Sequence, residues 1–452
     1  MFHFKFCALL LIGTISVSAN AENVVDLKGA FEAARANDPI FKKAEATWRA
    51  AREDENISWA ALLPQLSFGA DLARGKIINH GTAMRYHATN FAYSLNLAQN
   101  IFDFSKIAAL KGAKASVRAA YATYLASEMQ LVQRVVTQYF DVLLAKKNLT
   151  AAKANSVATR RLFEQARQRY KVGLASKTDF EEARRDYELA RSNEIAATNE
   201  LSSRLEVLGV TTGNRYDDLL PLKAGFPLLL PNPQKMADWV KQAEEHNLNL
   251  VAARQMTQAA KDKIWQARSG HLPVVGFGMQ FNNNYDSTPG AVGSRTHTRR
   301  FGGSFNVNVP ILQGGGVIAQ SRQAVCGYEA AAAEQERIHR EVISNTRQAY
   351  LSVISYISKV KADRQAILAA ESSLNAIKAN YEVGRKTMTD VLNAQTKLYS
   401  AQLAYAQDEN GYINAAFNLR YLVGNLTIKD IEEVNGWLKV KVSPVVRPEV
   451  KK

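Results

Sequence analysis

Side chains that could do chemistry are sparse in this chain, and their spacing does not converge on a site. His80, His87 and His297 fall in two stretches, 75–89 and 284–298, that read as loops between strands. Their spacing matches no zinc ligand set, so exposed loop histidines are expected. Cys326 is the single cysteine beyond the leader, which excludes an internal disulfide and suggests a small buried apolar residue. Gly276-x-Gly278 lacks the third glycine of a dinucleotide fingerprint, and Gly314-Gly315-Gly316 suits a tight strand-to-helix turn better than a phosphate cradle. G-x-S-x-G, H-E-x-x-H, P-loop and C-x-x-C patterns are absent, and the carboxylates spread along helix surfaces. No catalytic site, cofactor or metal is expected. One polar pattern does recur, a threonine followed by aspartate, at Thr178-Asp179 and Thr389-Asp390.

That pattern belongs to a longer repeat. YKVGLASKTDF at 170–180 returns as YEVGRKTMTDV at 381–391, and LLPQLSFGA at 62–70 returns as HLPVVGFGM at 271–279. A repeat of about 210 residues predicts two equivalent halves and sites that occur in pairs. The reading is a leader at 1–21, a first repeat at 22–210 with a strand hairpin near 65–98, and a linker at 211–233. A second repeat follows at 234–426 with a hairpin near 274–310, then a terminal segment and loose tail at 427–452.

Within each repeat the helical pattern is too long for a compact domain. From 105 to 172 there is no proline, and Tyr121, Leu125, Met129, Val132, Val136, Tyr139 and Leu143 recur at steps of three and four. Such a helix extends about 100 Å. A return helix is expected over 178–208, the same pair recurs at 317–383 and 389–423, and shorter helices are expected at 27–62 and 234–270. Gly173 and Gly384 stand where a helix ends, and Thr178-x-x-Glu181 and Thr387-x-x-Asp390 read as capping boxes. Antiparallel coiled-coil hairpins follow.

Four segments of about ten residues alternate strictly instead. Leu66, Phe68 and Leu72 alternate with Gln65, Ser67 and Asp71; Phe91, Tyr93 and Leu95 with Asn90, Ser94 and Asn96. Phe277, Met279 and Phe281 alternate with Gly276, Gln280 and Asn282; Phe301, Phe305 and Val307 with Arg300, Ser304 and Asn306. That length and contrast fit strands with one face in lipid and one in water. Four strands cannot close a barrel, and open edges in lipid leave backbone groups without partners. Subunits must therefore pool strands, and three would supply twelve.

The N-terminus agrees with export. Lys5, the apolar run 8–17 and Ala19-Asn20-Ala21 form a cleavable leader, and no later run is apolar enough for a membrane helix. The 57 basic against 42 acidic residues give a net charge of +15. The cations are scattered along helices without aromatic interleaving, so nucleic acid is not an expected partner. A second class remains open on these residues alone: a soluble periplasmic coiled-coil adaptor or tether.

The segments LKGAFEAARANDP (27–39), QNIFD (99–103), VPI (309–311) and the two Tyr-x-Val-Gly-x4-Thr-Asp tips make the chain resemble the TolC family of outer-membrane efflux and secretion channels. The resemblance spans about 24–426. It implies a homotrimer that is mainly helical with a membrane β part. A twelve-stranded barrel is continued by a long periplasmic helical barrel with a mixed α/β equatorial collar. It implies a passive exit duct for a tripartite efflux pump or type I secretion system. The partners are a periplasmic adaptor protein, an inner-membrane transporter of RND, ABC or MFS type, and outer-membrane lipid. The resemblance assigns the gate to Thr178, Asp179, Tyr381, Lys386, Asp390 and Asn393, with Lys386 at the family's gate arginine and Thr178 and Asp179 as its partners. Asn393 replaces a second acidic ring residue, and lysine lacks the arginine fork. Val172, Gly173, Leu174, Val383 and Gly384 fall where the family meets its adaptor.

Overall fold

The computed structural model describes residues 24–79, 84–223, 225–288 and 294–438; the expected leader and the end of the expected tail lie outside them. The order is β1 (Val24–Val25), α1 (Leu27–Asn37), α2 (Pro39–Ala60), β2 (Gln65–Asn79), β3 (Met84–Phe102), α3 (Phe104–Lys171), α4 (Lys177–Thr212) and β4 (Asp218–Leu219). Then come α5 (Met236–His246), α6 (Leu248–Arg268), a 3-10 turn (Ser269–His271), β5 (Val274–Thr288), β6 (Ser294–Asn308), α7 (Gly316–Glu382), α8 (Met388–Val423) and α9 (Ile428–Asn435).

Asp103 caps α3 by accepting from Ser105 N at 3.0 Å, so a strand passes into a 68-residue helix without a loop. At 1.5 Å per residue that helix is about 100 Å long. The helices expected at 27–62 and 234–270 are each broken in two. Asp38 turns the chain and accepts from Ile40 N and Phe41 N, with Pro39 opening α2. Asn247 does the same with Leu250 N at 3.0 Å. Apolar periodicity runs through both breaks, but the local caps outweigh it. Each break also holds the end of a long return helix: Asn37 donates to Thr212 O at 2.9 Å, and Asn247 donates to Leu422 O at 2.7 Å.

β2, β3, β5 and β6 form one antiparallel sheet in that order. The strands run 15, 19, 15 and 15 residues, longer than the alternating segments. Most of the additional residues pair at the outward end, beyond the apolar band, where alternation is not required, and β3 also runs on to Phe102 at the helical end. His87 and His297 consequently lie on strands, opposite Lys76 and Tyr285, and not in loops. His80 falls outside the described residues. Leu66, Phe68 and Leu72 share a face with Phe91, Leu95, Phe281 and Phe301.

Toward the sheet, α2, α3, α6 and α7 lie side by side; toward the far end the neighbours are α4, α3, α8 and α7. The main core sits between these zones, where Leu131, Tyr139 and Phe140 of α3 meet Phe31, Leu208, Ile413 and Ile431. Tyr139 donates its buried hydroxyl toward Val25 O and Leu220 O, at 3.2 and 2.9 Å, and so ties β1 and the 211–233 segment to α3. Leu222 bridges to Leu438, which adds the terminal segment to the same collar.

α2 and α4 end the helix row on one side and α7 on the other. These end helices carry exposed apolar side chains: Ile57 and Trp59 on α2, Leu189, Ile195 and Val210 on α4, and Leu351 and Leu368 on α7. Exposed apolar side chains on helices at the ends of a row suit association with another subunit. Cys326, expected to be buried, is exposed on α7. Among the described residues no helix is long and apolar enough to cross a membrane.

Asp38 is 2% exposed and pairs with Arg134 as well as capping α2. Asp38→Ala should cost about 3–5 kcal/mol, since it orphans a partly buried guanidinium. Asn247→Ala should cost only about 1–2 kcal/mol. Thermal melts followed by circular dichroism compare them, and equal losses would remove the ion pair from this account.

Candidate functional site

The far ends of the two long hairpins carry the recurring polar pattern, and they close alike. α3 ends with Gly173 N donating to Tyr170 O at 3.0 Å and Leu174 N to Arg169 O at 2.8 Å. α7 ends with Gly384 N donating to Tyr381 O at 3.0 Å and Arg385 N to Asn380 O at 2.8 Å. This double bond pattern needs a left-handed residue, and both glycines have φ of 76°. The turns thereby present Val172, Leu174 and Val383 at 68, 73 and 68% exposure.

The return helices begin with reciprocal caps. Thr387 Oγ1 accepts from Asp390 N at 3.2 Å, and the Asp390 carboxylate accepts from Thr387 N at 3.0 Å. In the first repeat the pair is Ser176 and Asp179, at 3.0 and 3.2 Å, and not Thr178 with Glu181. Thr178 is instead an exposed residue in the first turn of α4. The repeat itself carried that register, because aligning Gly173 with Gly384 sets Ser176 against Thr387.

The two caps hold Asp179 and Asp390 at the same level of their hairpins. Thr387 donates to Asp390, and Lys386 lies 3.7 Å away, so the Asp390 carboxyl titrates below its ordinary range. Within the subunit Lys386 thus faces Asp390, while Asp179 faces Ser176. Asn393 is exposed one turn further along α8.

Each contact between the hairpins pairs a residue that the sequence reading named with one that it did not. Thr389 donates to the Glu182 carboxylate at 2.5 Å, joining α8 to α4. The Arg169 guanidinium stands 5.1 Å from the centre of the Tyr381 ring, joining α3 to α7. Beneath them Leu162, Ala166, Ala183, Leu374, Met388 and Leu392 form a second core. The recurring Thr-Asp pair flagged Thr389 and the family resemblance flagged Tyr381; nothing in the sequence pointed to the side chains of Glu182 or Arg169, which lie just outside the repeated segment 170–180.

A sheet segment with an apolar face, continued by helices of about 100 Å that end in capped turns, defines the subunit of a membrane channel tube. The chain matches the family model for outer membrane efflux proteins over residues 30–214 and 239–425, and it belongs to that family. Among relatives, it is 33% identical over 443 residues to outer membrane protein TolC of Escherichia coli (strain K12), covering 96% of this chain and 88% of that one. It is 24% identical to the proteases secretion protein PrtF of Dickeya chrysanthemi, covering 96% and 95%. Among solved structures, the Campylobacter jejuni CmeC outer membrane channel superposes with a TM-score of 0.75 at 16% identity, covering 97% of this chain and 98% of that one. VceC of Vibrio cholerae gives 0.74 at 18%, covering 88% and 96%. The fold is that of a trimeric outer-membrane channel: four of twelve barrel strands per chain, a helical barrel and an α/β collar. The protein is an outer-membrane exit duct with a large periplasmic part.

Because the folded Asp390 carboxyl is depressed, the cap is fully effective above the unfolded carboxylate range, near pH 4, and is lost as pH falls through the lower folded value. Hydrogen exchange at the start of α8, corrected for intrinsic rates, should show protection falling in that window. Asp390→Asn should flatten the response; an unchanged profile would assign the protection elsewhere.

Proposed function

We propose that the paired hairpin tips form the periplasmic gate of this duct, and that the tip turns receive a periplasmic adaptor. The observation that carries this reading is the pair of cross-hairpin contacts at the very end of the helices, Thr389–Glu182 and Arg169–Tyr381. A polar clasp over a small core is breakable at moderate cost, whereas the collar core nearer the membrane is not.

The gate residues are Thr178, Asp179, Tyr381, Lys386, Asp390 and Asn393. Inside one subunit the charged members are occupied by their own hairpins. The latch that the family resemblance assigns to Lys386 with Thr178 and Asp179 therefore joins neighbouring subunits, whose open α7 and α4 edges meet on closure. Three copies of Asp390 line the constriction, and Asn393 leaves out a second ring of charge. Lysine makes a single-point latch where a guanidinium would make two parallel bonds.

Val172, Leu174 and Val383 are bare apolar side chains at matching turns, beside Gly173 and Gly384. They suit an adaptor hairpin that reads the tip's outline. The adaptor in turn links the duct to an inner-membrane transporter of RND, ABC or MFS type, which supplies the energy. Relatives named for protease secretion, PrtF and AprF, cover 96% and 88% of this chain and favour type I secretion alongside efflux.

Two measurements in planar bilayers test the gate. Lys386→Ala combined with Asp179→Ala should raise single-channel conductance several-fold relative to the parent; an unaltered conductance would remove the latch. Asn393→Asp should restore a second carboxylate ring and strengthen block by divalent or trivalent cations. Failure of that variant to change block would place the residue off the lumen.

A further inference from the structure

The lipid-facing side of the sheet is not apolar to its outward end. Each edge strand changes character along its length. On β2, Leu66, Phe68 and Leu72 are followed on the same face by Arg74 and Lys76. On β6, moving outward, Val307, Phe305 and Phe301 are followed by Arg299 and His297. On β3, Phe91 is followed by His87. All five of these polar residues are exposed.

From Val275 to Tyr285 β5 advances ten residue steps, about 33 Å of strand and about 25 Å of height once tilted, which matches the apolar band of a membrane barrel. The cations thus begin at the outer border of that band. A cation there costs far less than at mid-membrane, but bare hydration does not explain why the sign is uniform. In the four strands the carboxylates are Asp71 and Asp286, and the alternation puts both on the opposite, lumen-facing side.

The outer end is also built rather than merely decorated. Asn283, 1% exposed, donates to the Tyr93 hydroxyl, and its Oδ1 lies 2.6 Å from His297 Nε2. His297 stacks on the Tyr285 ring with centroids 4.1 Å apart. Arg299 Nε stands 3.4 Å from the same imidazole nitrogen. Trimer closure lays β6 of one subunit beside β2 of the next, so Arg299 and His297 gather with Arg74 and Lys76 at each of the three seams.

We propose that each seam binds the phosphate groups of an anionic lipid headgroup in the outer leaflet, and that the bound lipid ties neighbouring subunits together. The charge complementarity selects the occupant: cations above an aromatic, apolar strip fit phosphates above acyl chains. Arg74 and Arg299 supply forked donors suited to phosphate oxygens. This site is separate from the periplasmic tip, so its failure leaves the gate proposal standing.

The test uses the purified full-length trimer stripped of lipid. Bisphosphorylated lipid A, its phosphate-free analogue and inorganic diphosphate are added separately in detergent, and binding is read by native mass spectrometry and by the trimer-to-monomer melting temperature. The bisphosphorylated lipid should bind and raise the melting temperature; the analogue and the free anion should not. R74Q/K76Q/R299Q should weaken lipid binding on the order of 100-fold, from about a tenfold loss or less per surface cation. The R74K/R299K variant should retain most of it, and Arg300→Gln, on the lumen face, should leave it intact. Equal binding by the phosphate-free analogue, an equal shift with inorganic diphosphate, or wild-type binding by the triple variant would each overturn the proposal. Should the triple variant fail to trimerise, Arg74→Gln alone should still lower binding several-fold, and an unchanged value would be equally fatal.

Discussion

Backbone pairing at the two sheet edges governs the design of this subunit. β2 and β6 each have one side without a neighbour in the sheet. In hydrocarbon every unpaired amide or carbonyl there costs several kcal/mol. The only remedy available to a four-stranded sheet is another copy's edge. The helices are aligned to the same solution. α2 and α4 extend the β2 edge, α7 extends the β6 edge, and each carries exposed apolar side chains. Strands and helices therefore close together, and the strand-to-helix junctions, such as the Asp103 cap, transmit the barrel's geometry into the tube.

Duplication supplies the parts, and differences between copies supply the function. Asp38 and Asn247 break equivalent helices and anchor equivalent return-helix ends, but only the first has an ion pair. At the tips the two turns make the same backbone hydrogen bonds with the same glycine φ, whereas the side chains diverge. The first hairpin is stacked internally through Phe163, Tyr170, Phe180 and Tyr187. The second leans on the first through Leu374, Met388, Val391 and Leu392. Ala175 stands where the second copy has Lys386, so the charge asymmetry at the tip arises from the repeat itself.

Legibility followed the range of the interactions. The long helices were readable because step-three-and-four periodicity persists over many turns, and their ends came within a few residues. The breaks at Asp38 and Asn247 were not, since a cap formed by one side chain interrupts the chain without interrupting the apolar pattern. Strand length was underestimated for the opposite reason: Lys76 and His87 pair across the sheet where no buried face demands alternation. The first capping box was misplaced by two residues, although Thr387 and Asp390 already showed where Ser176 and Asp179 should sit.

By itself, the sequence determined the duplication, the elongated hairpins, the amphipathic strands and the turn glycines, because each depends on neighbours within a few residues of chain. The tertiary structure decided which hairpins touch and through what. Thr389 meets Glu182, and Arg169 meets Tyr381, only when helices more than 200 residues apart in sequence lie side by side. It also decided that the outward cations of β2 and β6 share the lipid face at opposite edges. Local preferences fix how a segment folds, but contacts between distant segments depend on the packing of the whole tube, which no short-range pattern encodes.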